Sequence, residues 1–204
     1  ALFSREFYRL AKGKLAPGGL FVQWIHIHDA SASVLGAVLA TLRAEFGHVR
    51  VFMSQANDLI LLAGEEDIPD SRLEAAKATL ASNPDVAQAL REAGVGSLEA
   101  LLGREIAPPR LAGPLQTLDK PVLHYMAGKS YFIGERVTPR ELLSGGTLGD
   151  TGLLERLVRG RPEGALTPRE AAGVLDAAMD RRGEDPVPLP LADSLEQRLK
   201  SLTR

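Results

Sequence analysis

The chain has 204 residues, 45% of them apolar and 25% charged, with a formal net charge of -2 and no cysteine. That length buries one core and a smaller appendage. The balanced charge argues against phosphate neutralisation and so against a nucleic-acid partner, and the missing thiols remove disulfides, thiolate nucleophiles and cysteine-based zinc sites.

No stretch reaches the roughly 20 apolar residues that cross a bilayer. A cytoplasmic location is expected, on the cytoplasmic side of a membrane if the chain is fused to one. Ala1 stands where a start methionine would, ahead of a helix already in progress, so a piece of a longer polypeptide is expected.

Leu2, Phe3, Phe7, Leu10, Ala11 and Leu15 recur at three- and four-residue spacings, predicting an amphipathic helix over 2–15. Pro17-Gly18-Gly19 stops it, since proline lacks an amide proton and glycine supplies the reversed angles of a tight turn. Residues 20–28, rich in β-branched and aromatic side chains, predict a strand. Asp29-Ala30-Ser31 suits the cap of a second helix over 32–46, which buries Val34, Leu35, Val38, Leu39 and Leu42.

Strands at 49–53 and 59–63 are joined by only 54–58, a link too short for a parallel crossover, so this pair is antiparallel. The order helix, strand, helix, strand, reversed strand predicts the tail of an α/β sheet with one antiparallel member.

From 67 to 102 the pattern is helical, with Leu73, Ala76, Leu80, Val86, Leu90, Leu98, Leu101 and Leu102 as core positions and a break at Asn83-Pro84-Asp85. A Pro- and Gly-rich loop over 107–114 leads to 121–125 and 130–133, and the remainder predicts short helices broken at 145–146, 160–164 and 184–190. Three successive regions are expected: 1–66 on the sheet, 67–136 as a helical insertion and return segment, and 137–204 as a helical extension.

The run Leu2-Phe3-Ser4-Arg5-Glu6-Phe7-Tyr8, followed by Leu15-Ala16-Pro17-Gly18-Gly19-Leu20-Phe21-Val22-Gln23-Trp24, resembles the spermidine synthase family of polyamine aminopropyltransferases, particularly its longer bacterial members. A second patch, 115–125, is similar to the relatives' L-N-T-D-D-x-P-x-L-E-Y, with Gln116 for Asn, Leu118 for Asp and His124 for Glu. The resemblance implies the C-terminal half of a Rossmann-like methyltransferase sheet. It also implies transfer of an aminopropyl group from decarboxylated S-adenosylmethionine to a polyamine, the nucleotide lying over strand ends that hold a glycine-rich turn and an acidic residue.

Neither of those nucleotide features is present here, so a cofactor-binding half is expected upstream, without which the chain is inactive. A homo-oligomer is the other expected partnership. Through the resemblance, Gln23, His26, Asp119 and Tyr125 are substrate-binding candidates.

Each residue also has a plainer reading. Gln23 lines a cleft or is a structural amide satisfied by a neighbouring loop. Trp24 falls on the opposite strand face and is assigned to the core. His26 and His28 share a face, as in some metal-dependent hydrolases, but a metal wants three or four ligands, and only His48 and His124 remain to recruit; no metal is expected, and the pair reads as a polar wall of a pocket. Gln55, Asn57 and Asp58 suit a turn, and Arg156, Arg159, Arg161, Arg181 and Arg182 a solvated helix face. Two further functions stay open: a non-catalytic scaffold pairing through the edge of its incomplete sheet, and a hydrolase built on the His-Ile-His motif.

Overall fold

The structure, a computed structural model, describes residues 2–55, 58–93, 95–162, 164–178 and 189–203. In chain order the elements are α1 (Arg5–Lys12), β1 (Phe21–His26), α2 (Ala32–Arg43), β2 (His48–Gln55), β3 (Asp58–Gly64), α3 (Asp70–Ser82), α4 (Pro84–Glu92), α5 (Leu98–Gly103), β4 (Glu105–Ile106), α6 (Val122–Ile133), α7 (Pro139–Leu142), α8 (Leu153–Arg159), α9 (Pro168–Ala178) and α10 (Leu189–Ser201). The fold is mixed α/β. Among the described residues no helix is long and apolar enough to cross a membrane.

Where breaks in composition suggest three successive regions, the chain makes two units. One holds 1–67 and 106–146, the other 68–105 and 147–204. The helical stretch after β3 thus leaves the first unit, and the Pro-rich loop returns to it.

The sheet has the order β1-β3-β2-β4; its three longer strands, β1, β2 and β3, belong to the first unit. β3 is antiparallel to both neighbours, pairing Gln23 with Leu61 on one side and Val51 with Leu61 on the other, so β1 and β2 run the same way with β3 between them. A register shift between Met53 and Gln55 closes the hairpin. Asn57 of the proposed turn lies outside the described residues, as do Arg181, Arg182 and residues 184–188.

Strand alternation sorts the side chains. Ile25, Leu59, Leu61, Ala63, Val51 and Met53 are buried on one face. There the Phe21 ring meets Tyr8 of α1 edge-on at 5.8 Å and stacks on Phe46 beyond α2 at 5.7 Å.

The opening helix is shorter than its pattern suggests, because Ser4 caps it by accepting from the Phe7 amide at 3.2 Å. Leu2 and Leu10 lie exposed, and Tyr8 is the residue it buries. In the turn, Gly18 takes φ 68°, which its missing side chain permits.

The second helix ends at Arg43, three residues early; Leu35, Val38, Leu39 and Leu42 are buried as expected, whereas Val34 sits half-exposed beside its cap. Thr41 turns its hydroxyl back to the Ala37 carbonyl at 2.6 Å and accepts the Gln116 amide at 2.9 Å. Gln116 is itself buried; its carbonyl accepts from Arg5 at the start of α1 and its side-chain oxygen from Leu123 in the first turn of α6. Gln116 is therefore a structural junction of three helices.

The second unit packs α5 against α8 and α9, with α10 against α9. Leu73, Leu98 and Leu102 are buried as the periodicity predicts, but Val86 and Leu101 are exposed. Its interior holds an ionic network. Arg198 donates to both carboxylate oxygens of Glu155, at 2.5 and 2.9 Å, and to the Glu105 carbonyl at 2.8 Å. The Glu105 carboxylate accepts the Leu153 amide at the start of α8. Among the described residues, the arginines read as a solvated patch are ion-paired: Arg156 with Asp70, Arg159 with Asp150 and Arg161 with Glu170.

Candidate functional site

β1 carries two of the candidate residues on opposite faces. Gln23 points to the α1 side, half-buried, and its carboxamide oxygen finds no full hydrogen bond. The hydroxyl of Tyr8, a fully buried side chain, is in the same condition. Burial pushes the Tyr8 hydroxyl well above its usual range, and Gln23, facing it with poor alignment, offsets only part of that rise. The strand glutamine lies on the side of the sheet where Tyr8 of α1 packs on Phe21, and no neighbouring loop satisfies its carboxamide oxygen.

His26 lies on the other face, at the carboxyl end of β1. Its Nδ1 is 2.7 Å from Asp58 Oδ1, directly across the ladder at the start of β3. An ionised carboxylate can only accept, so in the neutral imidazole this contact favours the tautomer in which Nδ1 donates and Nε2 carries the lone pair. The indole of Trp24, two residues back on the same face, stacks beside the imidazole at 6.0 Å, and the His28 ring follows at 5.9 Å. His26 is half exposed while Asp58 is mostly covered.

The core assignment of Trp24 is corrected here. Its side is indeed opposite Gln23, but 57% of it is exposed, beside Val22 at 59%.

Asp58, read as a turn former, is instead the partner of His26. Only the pairing of β1 with β3 brings the two together, across 32 positions of sequence. The local signal was a histidine at a strand end and a carboxylate at the start of another; what was missing was the register.

The remaining candidates lie elsewhere in the first unit. Asp119 is exposed in the bend before α6. Tyr125 is 72% exposed on α6, its ring edge-on to His124 at 5.4 Å. With Gln23 and His26 on opposite faces, the four do not form a single constellation.

Past the strand end, Asp29 lies between His28 at 3.9 Å and Arg136 at 3.7 Å. Among the described residues no three His, Asp or Glu side chains converge as a metal site. The geometry at the end of β1 can orient an imidazole, hold its proton on one nitrogen, and offer an aromatic wall to a cation. Comparison of the chain with protein-family models, curated proteins and solved structures finds no match in any of the three.

Proposed function

We propose that this chain is the later part of a spermidine synthase-like aminopropyltransferase, acting with a nucleotide-holding segment that completes its sheet, on decarboxylated S-adenosylmethionine and a polyamine. What supports the reading is the position of β1. The strand bearing the resemblance, with its preceding helix and Pro-Gly-Gly turn, ends the sheet instead of lying inside it, and β3 runs reversed between β1 and β2.

An outermost strand leaves alternate backbone amides and carbonyls without ladder partners. This one carries no proline, glycine or charged side chain to discourage pairing, and it exposes Val22 and Trp24 beside that edge. A Rossmann-like half-sheet would present such an edge to the strands that hold the nucleotide.

The test is to express the chain together with the segment encoded immediately upstream and to assay transfer from decarboxylated S-adenosylmethionine to putrescine or spermidine. Transfer by the pair and none by the chain alone is the expected result. A pair that associates and binds neither substrate would instead favour a non-catalytic scaffold, a reading to which Leu118 and His124 lend weight by standing where the relatives carry carboxylates.

A further inference from the structure

We infer that His26 is the proton acceptor for an alkylamine substrate, with Asp58 as its positioning residue and Trp24 as the aromatic wall of the amine's seat. This rests on the aminopropyl reading above and adds to it a residue that takes the proton.

The inference stands on geometry at the carboxyl end of β1. A histidine is suited to move protons only if one ring nitrogen is committed and the other is free. Asp58 commits Nδ1 at 2.7 Å, and because Asp58 is paired opposite His26 in the β1-β3 register, that commitment is built into the sheet. The imidazole remains half exposed, so Nε2 is open to a ligand.

The class of ligand follows from the neighbours. An indole face attracts an alkylammonium through its quadrupole, and Trp24 holds that face exposed next to the imidazole. Asp58 brings negative charge to the same strand end, while the charge of Asp29 beyond it is offset by Arg136 at 3.7 Å. Open α/β sheets also place ligands beyond the carboxyl ends of their strands, where His26 sits.

The step balances as follows. The acceptor amine nitrogen forms a bond to the methylene carbon attached to the sulfonium as the carbon–sulfur bond breaks. The bonding pair stays on sulfur, which becomes a neutral thioether. Before that attack the bound alkylammonium gives one proton to Nε2 of His26, which frees the nitrogen lone pair and leaves an imidazolium held by Asp58, and the product leaves as the new ammonium.

A cross-strand pair that merely closes the sheet end would share this geometry, so the test must read more than folding. In the full chain labelled with 15N-histidine, NMR should show His26 protonated at Nδ1 and free at Nε2, with Asp58→Asn shifting it toward the other tautomer. Nε2 protonation in the parent chain would overturn the inference. In the chain joined to its nucleotide-holding segment, His26→Gln should lower kcat about 100-fold, the lower range for a lost acid-base group, and remove one ionisation from the pH profile of kcat/KM. Transfer that persists in that variant with the pH profile unchanged would overturn the proton role and leave the aminopropyl reading standing. No transfer by the unsubstituted pair would overturn both.

Discussion

Arg198 grips Glu155 through both carboxylate oxygens, at 2.5 and 2.9 Å, with the side chains only 10% and 6% exposed. Removing one partner would leave the other charge buried, and breaking such a pair costs about 3–5 kcal/mol. Arg198→Met is therefore expected to lower the urea midpoint of the second unit sharply. The double variant Arg198→Met with Glu155→Leu should recover a large part of the loss, because the stranded charge is then gone. Equal stability of Arg198→Met and the parent would show that the pair is solvated.

Two glycines lie where backbone meets backbone. A Cβ on Gly36 of α2 would collide with the Ala112 carbonyl, and one on Gly113 with the Ala37 amide. Neither contact is to a side-chain end that could swing away. Gly36→Ala and Gly113→Ala should each destabilise the first unit by about 1–3 kcal/mol or more, the range for overpacking. Thermal unfolding that matches the parent in both variants would contradict this close approach.

The two faces of the sheet predict opposite responses to truncation. Leu61 is fully buried, and Leu61→Ala should cost about 2–5 kcal/mol. Trp24→Ala, on the exposed face, should change stability by less than about 0.5 kcal/mol. Since Trp24 is the sole tryptophan, its fluorescence should be red-shifted and quenched by iodide in the chain alone. Emission that is blue-shifted and protected in the isolated chain would be at odds with the exposed face.

Glu170 is held at about 2, well below its ordinary 4.5, first by the Thr167 backbone amide, then by the Arg161 guanidinium and the Thr167 hydroxyl. A folded-state value below the unfolded one means that the ionised form favours folding. The contribution is complete above about pH 4.5 and is lost as pH falls toward about 2. The difference in melting temperature between the parent and Glu170→Gln should therefore be largest near neutrality and shrink across that interval. A difference that stays constant from pH 6 to pH 2 would exclude this origin.

Tyr8→Phe removes a buried hydroxyl that lacks a full partner. Deleting an unsatisfied polar atom while keeping the ring and its contacts with Phe7 and Phe21 should be neutral or stabilising, by up to about 1 kcal/mol. A loss of more than that would mean that the hydroxyl is satisfied after all, by the Gln23 carboxamide that faces it or by a buried water.

Much of the first unit is legible without coordinates. The cap at Ser31, the turn at Gly18 and the antiparallel hairpin after residue 48 each arise from interactions within a few residues, whereas the Ser4 cap that shortens α1 does not show in the spacing of apolar residues. Alternation along β1 likewise sends Gln23 and Trp24 to opposite sides, because the period of a strand is two.

Local pattern does not say which side is covered. Trp24 looks like a core residue by type and is exposed; Tyr8 looks amphipathic and is fully buried. Nor does it pair distant residues. The bond between His26 and Asp58 depends on β3 inserting between β1 and β2, and the division into two units depends on residues 106–146 returning to the first. The amino-acid order by itself determined the type and order of the elements around the sheet, since turn geometry and side-chain periodicity act over a few residues. Only the tertiary structure decided strand order, burial and the partners of charged groups, because those depend on contacts between segments that are far apart along the chain.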